Sequence, residues 1–464
     1  MRFELDRARS IQVPGRIEMV SFNPLGMVKL RLGTQATSPD SKQSAGTFSS
    51  WNSKLIPLAS RGLVRPIYAD SSDDAKKMVS IVVPTKDHCK ELEACLESIR
   101  KFHPENELIV VDDGSRNAAL VEAISAKYRA IHIRITQGSG PASARNLGLA
   151  RSTHEHVLFV DSDVKLVTST LSRLLCWTQI PEVLIVGPRI VAGGNGSDPG
   201  LLQRAFHTRF PLDMGRVSFS VGDLDPSQQK TSKYFPSAVL LVKRSAVLEL
   251  GGFDEGLRYG EDVDLLWRIA EAKGLAVYDP RAWAYHLIDQ KPIKQIVKNF
   301  QYGRSNSQLA KRHPERMSAF SVSDPVSLAI GLMPLLSPGG LLAALLSPSL
   351  RFIAQPNKEF SNSARRKASL AITSQVALGI ENLYSKTYLA PVIVLSLGHK
   401  GVRRTLLWLF ALRIVKLALS ENTSSILLFD LGASLTNDLA YSLGAWEKAI
   451  ADRRFTYLRI RLAS

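Results

Sequence analysis

The chain has 464 residues, 45% hydrophobic and 22% charged, an ordinary balance for a globular protein of two to four domains. Its net charge of +17 is unusual and suits a polyanionic ligand, a nucleic acid or an acidic membrane surface. Its three cysteines, Cys89, Cys95 and Cys176, form no CxxC pair and no even framework. That excludes a disulfide scaffold and a cysteine-based zinc site, and fits a reducing, cytosolic face.

In chain order, residues 1–77 read as a small N-terminal domain. Short strand-like runs (Ile17 to Val20, Met27 to Leu32) precede a polar segment from Thr34 to Ser53 and an acidic linker. The start, MRFELDRARS, has acids and no apolar core, so it does not read as a signal peptide. Residues 78–290 alternate strand and helix signals. Strands are predicted over 79–85, 107–113, 130–135, 156–163 and 182–188, with helices over Glu91 to Arg100 and Ala118 to Tyr128. Continuous Val/Ile/Leu runs between helices imply one α/β domain with a mostly parallel sheet.

Residues 291–464 read as a helical, apolar C-terminal region. The run from Pro325 to Leu350 has no charge, yet Pro334, Pro338 and Pro348 interrupt it. It fits a spanning helix, a re-entrant hairpin or two short interfacial helices. A second stretch, about 387–420, sets apolar runs beside HKGVRR and fits an amphipathic segment on an anionic leaflet. A helical domain with an ordinary apolar core is the alternative.

Groups of polar residues lie at predicted strand or helix ends, where an open α/β sheet binds ligands. The first strand exits through Pro84, Thr85 and Asp87. The second ends on Asp112 and Asp113 before Gly114; a carboxylate there can accept the N3–H of a uracil base, although DDGS is also a good turn sequence. The segment GSGPASARNLGLA (138–150) has the outline of a dinucleotide-binding turn. Ser143 occupies its third glycine position and two strand–helix units precede it, which excludes that fingerprint. A turn that brings a helix start and Arg145 toward phosphate or base, with Asn146 in support, uses the same residues more economically.

The run VLFVDSD ends on Asp161, Ser162 and Asp163. Two like charges so close need solvation, hydrogen bonds or a cation. A divalent metal holding a diphosphate satisfies them; a turn acid beside a helix-capping acid is the plainer alternative. Glu261 and Asp262 open an amphipathic helix, where the helix dipole favours acids and where a general base would be held rigidly. His286, at the end of a further strand, could complete the metal site; mixed oxygen and nitrogen ligation suits Mn²⁺ better than Mg²⁺. Trp267, Trp283 and Tyr285 are candidates for stacking on sugar faces or, more simply, for core packing.

Taken in order, VSIVVPTKD, VVDDGS, the ARNLGL helix, FVDSD and GGFDE…GEDVDLLWR resemble the GT-A glycosyltransferases of family 2 over about 210 residues. The resemblance implies a GT-A fold and an inverting hexosyltransferase using a nucleotide-diphospho-sugar. It implies that Asp112 or Asp113 contacts the base and that Asp161 and Asp163 hold metal and diphosphate. It also implies Asp262 as catalytic base and His286 as a third metal ligand. A finer resemblance, carried by GPASARNLGLA, GPRIVA, DPRAWAYH and KNFQYGRSNSQLAKRHP, is to the mycofactocin-system glycosyltransferases. It implies β-linked glucose, from UDP-glucose, on a peptide-derived redox cofactor.

The resulting expectation is an enzyme at the cytoplasmic face of the cell membrane, or in the cytoplasm, with the N-terminal domain recognising the acceptor. A cell-envelope polysaccharide or glycolipid transferase is the runner-up. A catalytically silent nucleotide- or membrane-binding scaffold is the alternative of another class. No nucleic-acid motif accompanies the positive charge.

Overall fold

The structure is a computed structural model. It describes residues 78–193, 210–216, 219–222, 233–287, 292–317, 383–418 and 427–462, with short strands over 3–5, 10–13, 16–23, 26–32, 64–66 and 320–322. The uncharged run at 325–350, the polar segment at 34–53 and the acidic linker lie outside the described residues. The chain divides into two compact units: residues 1–6, 41–198 and 210–289 form the first; residues 7–40, 199–209 and 290–464 form the second.

Near the amino terminus are β1 (Phe3–Leu5), β2 (Ser10–Val13), β3 (Arg16–Asn23), β4 (Gly26–Leu32) and β5 (Val64–Pro66). β2, β3 and β4 make an antiparallel three-stranded sheet in the second unit, and β1 pairs with β5 in the first.

The large sheet of the first unit starts with β6 (Val79–Thr85), buried at every position. Then follow α1 (Cys89–Phe102), β7 (Leu108–Asp112), α2 (Ala118–Lys127), β8 (Ile131–Arg134), α3 (Pro141–Arg151) and β9 (His156–Val160). β8, β7, β6 and β9 lie side by side in that order, all parallel. The order reverses at β6, so the carboxyl ends of β6 and β9 flank a switch point, the usual ligand crevice of such sheets. The remaining elements are β10 (Val164–Leu166), α4 (Thr170–Leu175), β11 (Val183–Ala192), β12 (Phe219–Val221), β13 (Val239–Lys243), α5 (Arg244–Glu249), α6 (Glu261–Glu271) and β14 (Leu275–His286).

β13 runs antiparallel between β9 and β11, so the sheet is mixed rather than uniformly parallel. The five predicted strands are present. β13 escaped prediction because a five-residue apolar run leading into a helix has no periodicity of its own. β14 carries an irregularity: Pro188 of β11 pairs with Asp279, but Arg189 pairs with Trp283. The looped-out DPRA segment is held by buried Asp279, which accepts from Arg281 and from the Trp177 indole. Burial works against that carboxylate's charge, but these donors outweigh it and lower its pKa. Most of the DPRAW motif is therefore structural.

The second unit is helical: α7 (Pro292–Arg312), α8 (Leu389–Gly398), α9 (Lys400–Ala418) and α10 (Leu427–Ala451), with β15 (Phe320–Val322) and β16 (Ile460–Leu462) paired in parallel. α7 and α10 pack through Ala310, Ala445 and Ala449, and add two polar contacts, Asn299 with Asn437 and Asn306 with the Tyr441 hydroxyl. None of the described helices is long and apolar enough to cross a membrane.

Candidate active site

Asp161 follows β9 directly, and its backbone N–H donates to Ala238 O on the β13 side, fixing the strand exit. Asp163 precedes β10, whose Val164 pairs with His286, the last residue of β14. Thus the two acids and the histidine share one corner of the sheet edge. The His286 Nδ1 lies 3.0 Å from Leu287 O and donates to it. Its Nε2 is 3.4 Å from Asp163 Oδ1. A proton or a cation between these two atoms satisfies both.

Arg145 sits in α3, which packs tightly on β6. A Cβ on Gly148 would come within 2.2 Å of Val82, so a side chain there would push the helix away. The buried guanidinium donates from Nη2 to Asp161 Oδ1 at 2.7 Å and from Nη1 to Glu261 Oε1 at 2.9 Å. It also lies 5.5 Å above the Phe253 ring. Its Nε is buried without a partner. Burial opposes the cation, but Asp161 and Glu261 outweigh it and raise the pKa further.

Glu261 and Asp262 open α6 after Gly260, whose φ of 84° is a left-handed conformation that favours glycine. Asp262 is half-buried; its Oδ2 accepts from the Ser237 N–H and its Oδ1 from its neighbour Val263 N–H. Burial raises its pKa against these donors. Burial, then the charge of Asp262, pushes Glu261 up to about 7, although Arg145 pulls it down. The physical reason is charge balance. Asp161 and Glu261 share one guanidinium, and among the described residues Asp262 has no salt bridge of its own.

This balance bears on a divalent metal. Asp163 and His286 fit two ligands of one ion, because bonds of about 2.1 Å put neighbouring ligand atoms about 3 Å apart. Asp161 is instead turned to Arg145. Accordingly, no group of three ligating side chains is assembled for a metal among the described residues. The donor chemistry fits a hard or borderline cation, with Asp161 joining once it leaves Arg145.

At the switch point, Thr85, Asp112 and Arg134 pair in register across β6, β7 and β8. Asp112 is fully buried; it accepts from the Ser115 N–H at 2.8 Å and forms an ion pair with Arg134. The Thr85 hydroxyl is buried and has no hydrogen-bond partner among the described residues. Asp113 accepts from the N–H groups of Ser139 and Gly140 and thereby shapes the turn before α3. Asp87 accepts from the Arg116 N–H and joins the same loop cluster. Pro84 lies within β6 and Ser162 is buried between the two acids.

Asn146 is placed away from Asp161. It clamps the turn before α6, exchanging hydrogen bonds with the Phe253 backbone and donating to Glu255. Trp267 is core, its indole donating to Lys233 O. Trp283 and Tyr285 pack edge to face, centroids 4.9 Å apart, and both keep partial exposure. Sequence reasoning missed Arg134, Ser237 and Phe210, whose ring lies 5.3 Å from His286. Arg134 had a signal: it is the last residue of β8, level with Asp112.

Residues 80–237 match the family described as Glycosyl transferase family 2. Over 278 residues the chain is 34% identical to the pre-mycofactocin glycosyltransferase of Mycobacterium tuberculosis, covering 59% of this chain and 56% of that protein. The chain thus spans about half the length of those curated relatives. It is 28% identical over 211 residues to the O-antigen biosynthesis protein RfbC of Myxococcus xanthus, covering 43% of this chain and 16% of that one. Among solved structures, a mannosyltransferase of Pyrobaculum calidifontis in complex with GDP-Man and Mn²⁺ is similar at 16% identity and a TM-score of 0.42. That similarity covers 81% of this chain and 88% of the other. It is too loose to transfer any residue. Residues 80–237 thus match the Glycosyl transferase family 2 model, and the sheet with its switch-point crevice agrees with a GT-A fold for this region.

Proposed function

We propose that the chain transfers a hexose from a nucleotide-diphospho-sugar to an acceptor hydroxyl, with inversion and with a divalent metal. The donor is UDP-glucose, the bond formed is β, and the acceptor is a precursor of the peptide-derived cofactor mycofactocin. The identity to the pre-mycofactocin glycosyltransferase supports the acceptor. One observation carries the chemistry: Arg145 ties Asp161 to Glu261, joining a strand-end acid pair to a helix-start acid pair in the switch-point crevice.

Asp161, Asp163 and His286 are the residues that would hold the metal. When bound, it supplies Lewis-acid stabilisation of the leaving diphosphate. The Thr85–Asp112–Arg134 row forms the floor for the nucleoside, Asp112 itself being reached only after Arg134 moves. Arg145 contributes fixed positive charge beside the diphosphate. Asp262, half-buried and oriented by two backbone N–H groups, takes the proton of the attacking hydroxyl. One base on one face gives in-line attack, so an α-linked donor yields a β-linked product. Glu261 holds Arg145 and thereby the distance between the two acid pairs.

A membrane surface is the second proposed partner, supported by apolar side chains exposed on the C-terminal helices. The similarity to an O-antigen biosynthesis protein supports a second reading, in which the acceptor is a cell-envelope glycan or glycolipid. The full chain, incubated with UDP-glucose, Mn²⁺ and either a peptide-derived or a lipid-linked acceptor, separates the two by mass spectrometry. Hexose addition to the peptide-derived acceptor is expected. Addition only to the lipid-linked one moves the assignment. Absence of donor turnover with any nucleotide sugar leaves a silent scaffold.

A further inference from the structure

Helices that face water put polar side chains outward and apolar ones inward. The C-terminal helices partly reverse this. α9 buries Thr405 and Arg413, which are 1% and 2% exposed, yet presents Leu407 at 62% and Trp408 at 56%. Arg413 is paired inside with Asp438 of α10. α8 buries Ser396 and exposes Val394, Leu395 and Leu397. α10 buries Asp430, Ser434 and Ser442 and exposes Leu428 and Phe429. In the first unit, exposed large apolar residues such as Met78, Leu120, Ile131 and Leu248 occur singly in sequence, which is normal for a soluble surface.

The exposed positions of α9 are not scattered. Arg403, Arg404, Leu407, Trp408 and Ala411 follow the spacing of one helical face. The stripe therefore starts with two arginines, beside exposed Lys400, and continues into a leucine and a tryptophan. Leu395 and Leu397 sit across the short turn, and Arg403 donates to the Ser396 and Leu397 carbonyls, tying the two helix ends together. Clustered cations at the edge of an apolar, tryptophan-bearing face complement an anionic lipid surface: the charges meet headgroups and the apolar side chains enter the acyl boundary. A water-exposed surface or an ordinary protein contact explains the inward polar residues less well.

We infer that the α8–α9 hairpin docks in the plane of an anionic bilayer, through Val394, Leu395, Leu397, Leu407 and Trp408, with Lys400, Arg403 and Arg404 at the headgroups. This rests on the membrane-surface reading above and uses the second unit alone, so it holds or fails independently of glycosyl transfer.

The test is flotation of the full chain with phosphatidylglycerol–phosphatidylcholine vesicles and with pure phosphatidylcholine vesicles. Binding to the anionic vesicles that weakens with salt is expected. The pair Leu407→Ser with Trp408→Ser should lose binding to both vesicle types while keeping the wild-type circular dichroism spectrum. The pair Arg403→Gln with Arg404→Gln should weaken anionic binding roughly thirtyfold, at the usual contribution of a surface cation. Trp408→Phe, the milder change, should keep binding but lose the part of the fluorescence that brominated lipid quenches. Failure of the full chain to float with anionic vesicles overturns the inference, as does unchanged binding by the Leu407–Trp408 variant. A dimer in sedimentation that this same variant dissociates also overturns it, since a second copy would then own the face.

Discussion

The Arg145 guanidinium bridges Asp161 and Glu261, at 2.7 and 2.9 Å, although Glu261 lies 116 residues away in sequence. One buried cation thus sets the spacing between the acids assigned to the donor and those assigned to the acceptor. Replacing it by methionine leaves two largely buried carboxylates without their partner. Breaking a buried pair in this way costs about 3–5 kcal/mol, less the share that the partly exposed Asp161 recovers from water. Denaturant unfolding should therefore show a large loss for Arg145→Met. Arg145→Lys should retain most of the stability but not the two-pronged geometry, and should weaken UDP-glucose binding.

Asp262 is held by two backbone donors and, among the described residues, forms no salt bridge, so its amide replacement keeps the shape of the site. Asp262→Asn should lower transfer by roughly a hundredfold to ten-thousandfold, the usual contribution of a general base, with donor affinity within a few-fold of wild type. Near-normal turnover of this variant would remove Asp262 from that role and leave Glu261 as the candidate.

Asp163 Oδ1 and His286 Nε2 lie 3.4 Å apart. Asp163→Ala and His286→Ala should each lose the Mn²⁺-dependent part of donor binding in calorimetry. Binding in chelator should change little. Equal affinity of Asp163→Ala and wild type in Mn²⁺ would contradict the metal assignment.

The pH dependence follows from burial of Glu261, whose pKa rises from the ordinary 4.5 to about 7. An acid with a raised folded-state pKa favours the folded state below its unfolded value, and that contribution is lost as pH climbs through the folded one. Wild type should therefore lose stability relative to Glu261→Gln between about pH 4.5 and pH 7. Thermal melts of both proteins across that window check the sign.

Much of the α/β domain was legible in the sequence for a plain reason. β6, β7 and β9 are buried on both faces and read as unbroken apolar runs that stop on polar residues. The site acids were legible because Asp112, Asp161 and Glu261 stand at element ends, where local pattern changes. What could not be read was direction and partnership. β13 looks like any short apolar run, yet its antiparallel insertion places Ala238 against Asp161 and leaves Ser237 to orient Asp262. Asn146 and Arg145 are neighbours on one helix, but one braces the Phe253 turn and the other enters the carboxylate cluster. Only the packing of α3 decides which is which.

The most direct measurement is Mn²⁺-dependent release of UDP from UDP-glucose by the full chain, with wild type, Asp163→Ala and Asp262→Asn compared side by side. Release by wild type that chelator abolishes is expected, together with loss of release in both variants. Undiminished release in chelator and in both variants would contradict the claim that these acids, gathered around Arg145, perform glycosyl transfer.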